Sequence, residues 1–105
     1  MQSYLERIAQ KLIKDAGLPN PILEYKFCEQ RKWRGDFVWL EPRKVLLEIE
    51  GGIWSQGRHT RGKGFTNDCE KLNTASLQGF LVLRVTKYHL ISGDALKWLK
   101  LALNA

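Results

Sequence analysis

Cysteine is scarce in this chain of 105 residues, and the two present, Cys28 and Cys69, form no C-x-x-C pair. That excludes a zinc framework and a disulfide scaffold. Each reads as a small core residue, consistent with a reducing cytoplasm. No stretch approaches the roughly 20 apolar residues of a membrane span, so no membrane partner is expected. The N-terminal M-Q-S-Y-L-E-R lacks the apolar core of a secretion signal. There is no internal repeat, low-complexity tract or linker. Acids are also in short supply: 11 Asp and Glu stand against 17 Lys and Arg, a net charge of +6. The resulting pI near 9.6 suits a polyanionic partner.

What is present suffices for one domain and hardly for two. Hydrophobic residues make up 44% of the chain, enough to build a core. Leu5, Ile8, Ala9, Leu12, Ile13 and Ala16 follow one helical stripe, and Ser3 with Glu6 reads as a capping box. A helix over 3–16 follows, stopped by Gly17, Pro19 and Pro21. Residues 22–28 alternate as a strand, with Leu23, Tyr25 and Phe27 on one face. A polar, basic loop spans 29–35. Strands are expected at 36–40 and 44–50, joined by a turn around Glu41, Pro42 and Arg43. A glycine-rich loop at 51–64 precedes a helix over 65–78, with Phe65, Cys69, Leu72 and Ala75 or Ser76 inward. Residues 80–85 read as a buried strand. After a short turn at 88–91, a helix over 94–104 carries Ala95, Trp98, Leu99 and Ala102 on one stripe. The order is αβββαβα: a meander, then a fourth strand brought alongside by a crossover helix.

The carboxylates Asp36, Glu48 and Glu50 fall on the middle strands, and register decides whether they meet. Paired residues on antiparallel strands share a face. A three-residue turn sets Asp36 opposite Glu48; a five-residue turn sets it opposite Glu50; a four-residue turn separates the acids. On both sides lie basic loops: Arg31, Lys32 and Arg34 before, Arg58, Arg61 and Lys63 after. These would contact phosphates and supply affinity and register. Trp33 and Trp54 in the same loops would stack on or wedge between bases, whereas Trp39 and Trp98 read as core. His59 sits between Arg58 and Arg61 in the loop; His89 reads as structural or surface.

The ordered strings E-Y-K-F (24–27), D-F-V-W (36–39), L-L-E-I-E-G-G (46–52), G-R-H-T-R-G (57–62) and N-D-C-E-K (67–71) together resemble the PD-(D/E)xK nuclease superfamily. The resemblance is closer to its small Vsr-like branch, with very-short-patch-repair-type and EDxHD-type endonucleases, and covers nearly the whole chain. It implies an α/β fold with a restriction-endonuclease-like core, a mixed four-stranded sheet flanked by helices. Asp36 matches the family's first aspartate and Glu48 the acid of the next strand. Glu50 stands where the superfamily has lysine, so the D/E-x-K triplet is absent. The EDxHD letters fall on Glu24, Asp36, His59 and Asp68, with the third variable. Glu6 matches an acid that some superfamily members carry on the first helix.

The expected activity is hydrolysis of phosphodiester bonds in DNA, by nicking or cleavage, with Mg²⁺ as cofactor and Mn²⁺ able to replace it. RNA fits the same chemistry. Asp36, Glu48 and Glu50 are the expected metal ligands, because Mg²⁺ takes oxygen donors and keeps some of its waters. Glu50 has two further readings, as general base or as support for the following loop. Glu24 belongs to the catalytic set. His59 would take over proton transfer from the missing lysine. Asp68 would orient His59 or bind metal through water, and Lys71, one turn on, would face the phosphate. Monomer and homodimer are both compatible with this reading. A catalytically silent nucleic-acid-binding module on the same fold is the competing one.

Overall fold

The structure, a computed structural model, describes residues 2–51 and 58–104; along 58–63 only the helical backbone is described. The first helix, α1 (Tyr4–Asp15), has Ala9 and Ile13 buried on its apolar stripe. Its start is the capping box: Ser3 Oγ accepts from the Glu6 N–H at 3.2 Å, and Glu6 Oε1 accepts from the Ser3 N–H at 3.0 Å. Gly17, at φ +72°, ends it, a conformation that costs glycine nothing.

Strands β1 (Ile22–Cys28), β2 (Trp33–Trp39) and β3 (Val45–Glu50) form an antiparallel meander. Helix α2 (Arg58–Leu77) carries the chain to β4 (Leu81–Thr86), which lies parallel to β3. The sheet order is β1-β2-β3-β4. Helices α3 (Lys87–Ser92) and α4 (Asp94–Asn104) complete the chain. The class is therefore α/β, a mixed four-stranded sheet flanked by helices, as expected.

Four local expectations are corrected. The turn expected at 88–91 is the helix α3, so the order is αβββαβαα. Strand β2 begins at Trp33, because Lys26 pairs with Arg34 and Cys28 with Trp33; the hairpin zips past residues that read as a basic loop. Helix α2 begins at Arg58, within the stretch read as a glycine loop. Glycine in a helix costs only about 1 kcal/mol, so Gly62 and Gly64 weaken the helix without ending it. Finally, Phe65 and Cys69 are exposed. Among the described residues of α2, Ala75 is the one that is buried, and Asp68 and Lys71 lie on its stripe at i−7 and i−4. Cys69 is rotated about 100° from Asp68, off that stripe, so it is not the core residue its type suggested.

Two apolar clusters flank the sheet. On one face Phe37, Trp39, Val45, Leu47 and Val85 pack against α1, α3 and α4. The Trp39 indole N–H, buried there, donates to the Pro19 carbonyl at 2.7 Å. On the other face Val38 and Leu46 meet Phe27, Phe80 and Ala75. This second cluster is smaller, so α2 is apolar against the sheet only near its C-terminus and charged above it. Among the described residues, no helix is long and apolar enough to cross a membrane.

Candidate active site

The β2–β3 register decides the placement of the acids. Phe37 pairs with Leu47, Val38 with Leu46 and Trp39 with Val45. This is the register of a three-residue turn at 41–43, and one further step sets Asp36 opposite Glu48. There the side chains replace the backbone ladder. The Asp36 N–H donates to Glu48 Oε2 at 3.1 Å, and the Ile49 N–H donates to Asp36 Oδ2 at 2.8 Å. Each carboxylate thus holds the other's strand.

The row continues in both directions. Glu24 lies between the pairs Leu23–Phe37 and Tyr25–Gly35, hence opposite Asp36. On the far side Glu48 pairs with Arg84 of β4. Glu24, Asp36, Glu48 and Arg84 therefore cross the sheet in one line. The β1–β2 ribbon changes face at this line. Phe37 packs in the cluster under α1. Gly35, which strict alternation would put on the same face, is buried with its Cβ direction toward Val38 and Leu46 of the other cluster. Glu24 adopts φ 54°, a left-handed conformation that is uncommon and costly for a residue with a Cβ. Such a residue inside a strand breaks the two-residue alternation, and here it is an acid beside another acid. A strained backbone at a charged cluster fits a functional site.

Glu48 is buried. Its Oε1 accepts from Lys71 Nζ at 2.7 Å, so the helix lysine stands at the acid of the third strand. The next acid on that strand, Glu50, turns elsewhere. Its Oε2 accepts from Arg84, with Nη2 at 2.9 Å, and the same guanidinium lies 3.9 Å from Asp68 Oδ2. Asp68 is thus in mid-helix beside Arg84, not in a first turn. On a continuous helix nine residues span about 13 Å, so Asp68 is too far along α2 to orient His59 directly.

Glu6, Glu24 and Asp36 form a second grouping, with one carboxylate oxygen of each lying within 4.8 Å of the others. Asp36 belongs to this triad and, through its N–H, meets the Glu48 carboxylate of the Glu48–Lys71 pair; Glu50 belongs to neither grouping. Burial first, then the Glu48 carboxylate and more weakly that of Glu6, push the Asp36 pKa up to about 7; the Ile49 N–H and Lys71 oppose the shift. At neutral pH the carboxyl is thus close to half-protonated, and the cluster is short of positive charge.

The basic residues divide. Arg31 is held within the fold: Nη2 lies 3.1 Å from Glu70 and 3.2 Å from Asn67 Oδ1, and its guanidinium stacks over Trp33 at 4.3 Å. Lys32 and Arg34 are exposed. Trp54 lies outside the described residues, as do the side chains of Arg58, His59, Arg61 and Lys63. His89 is structural: Nδ1 accepts from the Thr86 N–H at 3.0 Å, and its ring packs on Trp98 at 5.1 Å. Glu6 completes the capping box of α1 and also belongs to the triad. Arg84 was hidden in an apolar run, and only its neighbours across β3 and α2 reveal it. No protein-family model, curated protein or solved structure matches the chain.

Proposed function

We propose that the protein is a cytoplasmic, Mg²⁺-dependent DNA endonuclease with a restriction-endonuclease-like core, in the manner of the Vsr-like and EDxHD-type branch of the PD-(D/E)xK superfamily. The observation that carries this reading is the convergence at Asp36: a carboxylate triad with Glu24 and Glu6 on one side, the Glu48–Lys71 ion pair on the other. The donor set is all oxygen, which suits a hard cation, and the raised proton affinity of Asp36 marks a place where added positive charge is favourable.

Asp36, Glu24 and Glu6 would hold the ion, so Asp36 keeps its expected role. Glu48 and Glu50 yield to the two acids from β1 and α1. When bound, Mg²⁺ stabilises charge on phosphate oxygens and makes bound water more acidic. Glu48 fixes the Lys71 ammonium next to Asp36. Lys71 comes from α2 rather than from the strand, and takes the place of the lysine that Glu50 displaces. It supplies charge to the phosphate and a hydrogen bond to the attacking water. Glu50 and Asp68 clamp Arg84, which adds a second cation beside the acids. His59, with Arg58, Arg61 and Lys63 around it, serves proton transfer and phosphate contact.

The test is a nicking and cleavage assay on supercoiled, linear and mismatched DNA with Mg²⁺ or Mn²⁺. Wild type cuts; Asp36→Ala and Glu48→Ala do not. Intact DNA in every form, despite good binding, would replace this reading with that of a silent nucleic-acid-binding module. In that case removing the acids leaves binding unchanged or strengthens it.

A further inference from the structure

The outer half of the β1–β2 hairpin carries two cations that the acidic site does not use. Lys26 and Arg34 are register partners, and both are exposed. Their neighbours Tyr25, Phe27 and Trp33 pack in the cluster under α2, and Gly35 abuts Val38 and Leu46 of that cluster. By alternation Lys26 and Arg34 project from the opposite face. This is the side from which α1 brings Glu6 to the triad.

Directly opposed strand residues have Cβ atoms about 5 Å apart, and like charges there repel. Neither cation takes part in any ion pair among the described residues. Lys32 adds a third exposed charge in the turn beyond them. Arg31 does not join them, being held by Glu70 and stacked on Trp33. An opposed, unneutralised pair on a ribbon becomes favourable when an anion sits between the two side chains. The pair lies two residues from the Glu24–Asp36 line, about 7 Å along the strand. That is about two base steps at 3.4 Å each.

From this we infer that Lys26 and Arg34 together grip a backbone phosphate flanking the scissile one. The hairpin is then the arm that sets the register of nucleic acid on the acidic site. The assignment rests on the nuclease reading for its placement, but its test needs no cleavage.

The experiment compares wild type with Lys26→Gln, Arg34→Gln and the double variant. Binding to a labelled duplex oligonucleotide is read by fluorescence anisotropy in EDTA, as a function of KCl. Each lost phosphate contact lowers the log–log salt slope by about 0.9. Because the two cations share one phosphate, the double variant should lose about 0.9 from the slope and bind on the order of eight-fold more weakly at 0.1 M salt. Its melting temperature should stay or rise, since a repulsion is removed. An unchanged slope, a lowered melting temperature, or no binding by wild type at low salt overturns the assignment. Nicking by wild type and Asp36→Ala is scored separately with Mg²⁺. Binding without nicking removes the nuclease reading and leaves the hairpin to be judged on the slope.

Discussion

Replacing Asp36 with Asn should stabilise the metal-free protein at alkaline pH while removing its response to Mg²⁺. The carboxyl pKa rises from 3.8 to about 7 in the fold. Below about pH 4 it is protonated in both folded and unfolded chains. Between about pH 4 and 7 the folded state keeps a proton that the unfolded state has released, so raising the pH favours unfolding. Above pH 7 the loss is complete and constant. A shift of about 3 units corresponds to at most about 4 kcal/mol. Asp36 is only half-buried, and solvent screening reduces this to roughly 1–2 kcal/mol. Asparagine keeps the Ile49 hydrogen bond through its carbonyl oxygen, and its amide can donate to the surrounding carboxylates. Asp36→Asn should therefore melt about 4–15 °C above wild type at pH 8, with the gap closing toward pH 4. Thermal melts in EDTA across pH 4–8 measure this. Saturating Mg²⁺ should raise the wild-type melt and leave the variant nearly unmoved. Coincident melts at pH 8, or a wild-type stability that rises between pH 4 and 7, would refute the charge accounting at Asp36.

Four further outcomes follow from the geometry. Glu48→Ala strands the partly buried Lys71 ammonium and the Asp36 N–H, and urea unfolding should register a loss of about 2–4 kcal/mol. Gly35→Ala would put a Cβ 2.7 Å from Val38 Cγ2 and 2.9 Å from Leu46 Cγ; overpacking there should cost about 1–3 kcal/mol, read by the same titration. Glu24→Asn relieves the left-handed strain at φ 54° and should raise stability by about 0.5–1 kcal/mol, yet calorimetric Mg²⁺ affinity should fall at least several-fold. Lys71→Met leaves Asp36 without an opposing cation, which should push its pKa above about 7 and suppress nicking; carboxyl NMR titration reports the first, gel assay the second.

Helix α1, the three strands of the meander and the crossover to β4 were readable because apolar periodicity and punctuation agree there. Asp36 facing Glu48 was legible as the outcome of a three-residue turn, one of the three turn lengths that the sequence left open. The left-handed Glu24 was not, because a conformation costly for its residue type leaves no mark in composition. The extent of α2 misled for a different reason: Gly62 and Gly64 read as a loop, whereas a glycine costs a helix only about 1 kcal/mol. Glu6 matched both a cap and a site acid, and the structure places it in both.

By itself the sequence determined an α/β chain with a meander, a crossover helix, a basic surplus and acids on adjacent strands. These follow from local periodicity and charge, which act over a few residues. Only the tertiary structure decided which acids meet which cations. Glu50 turns to Arg84 and Glu48 to Lys71, while Glu24 and Glu6 join Asp36. Those pairings depend on where β4, α1 and α2 dock, and docking is set by burial of faces far apart along the chain.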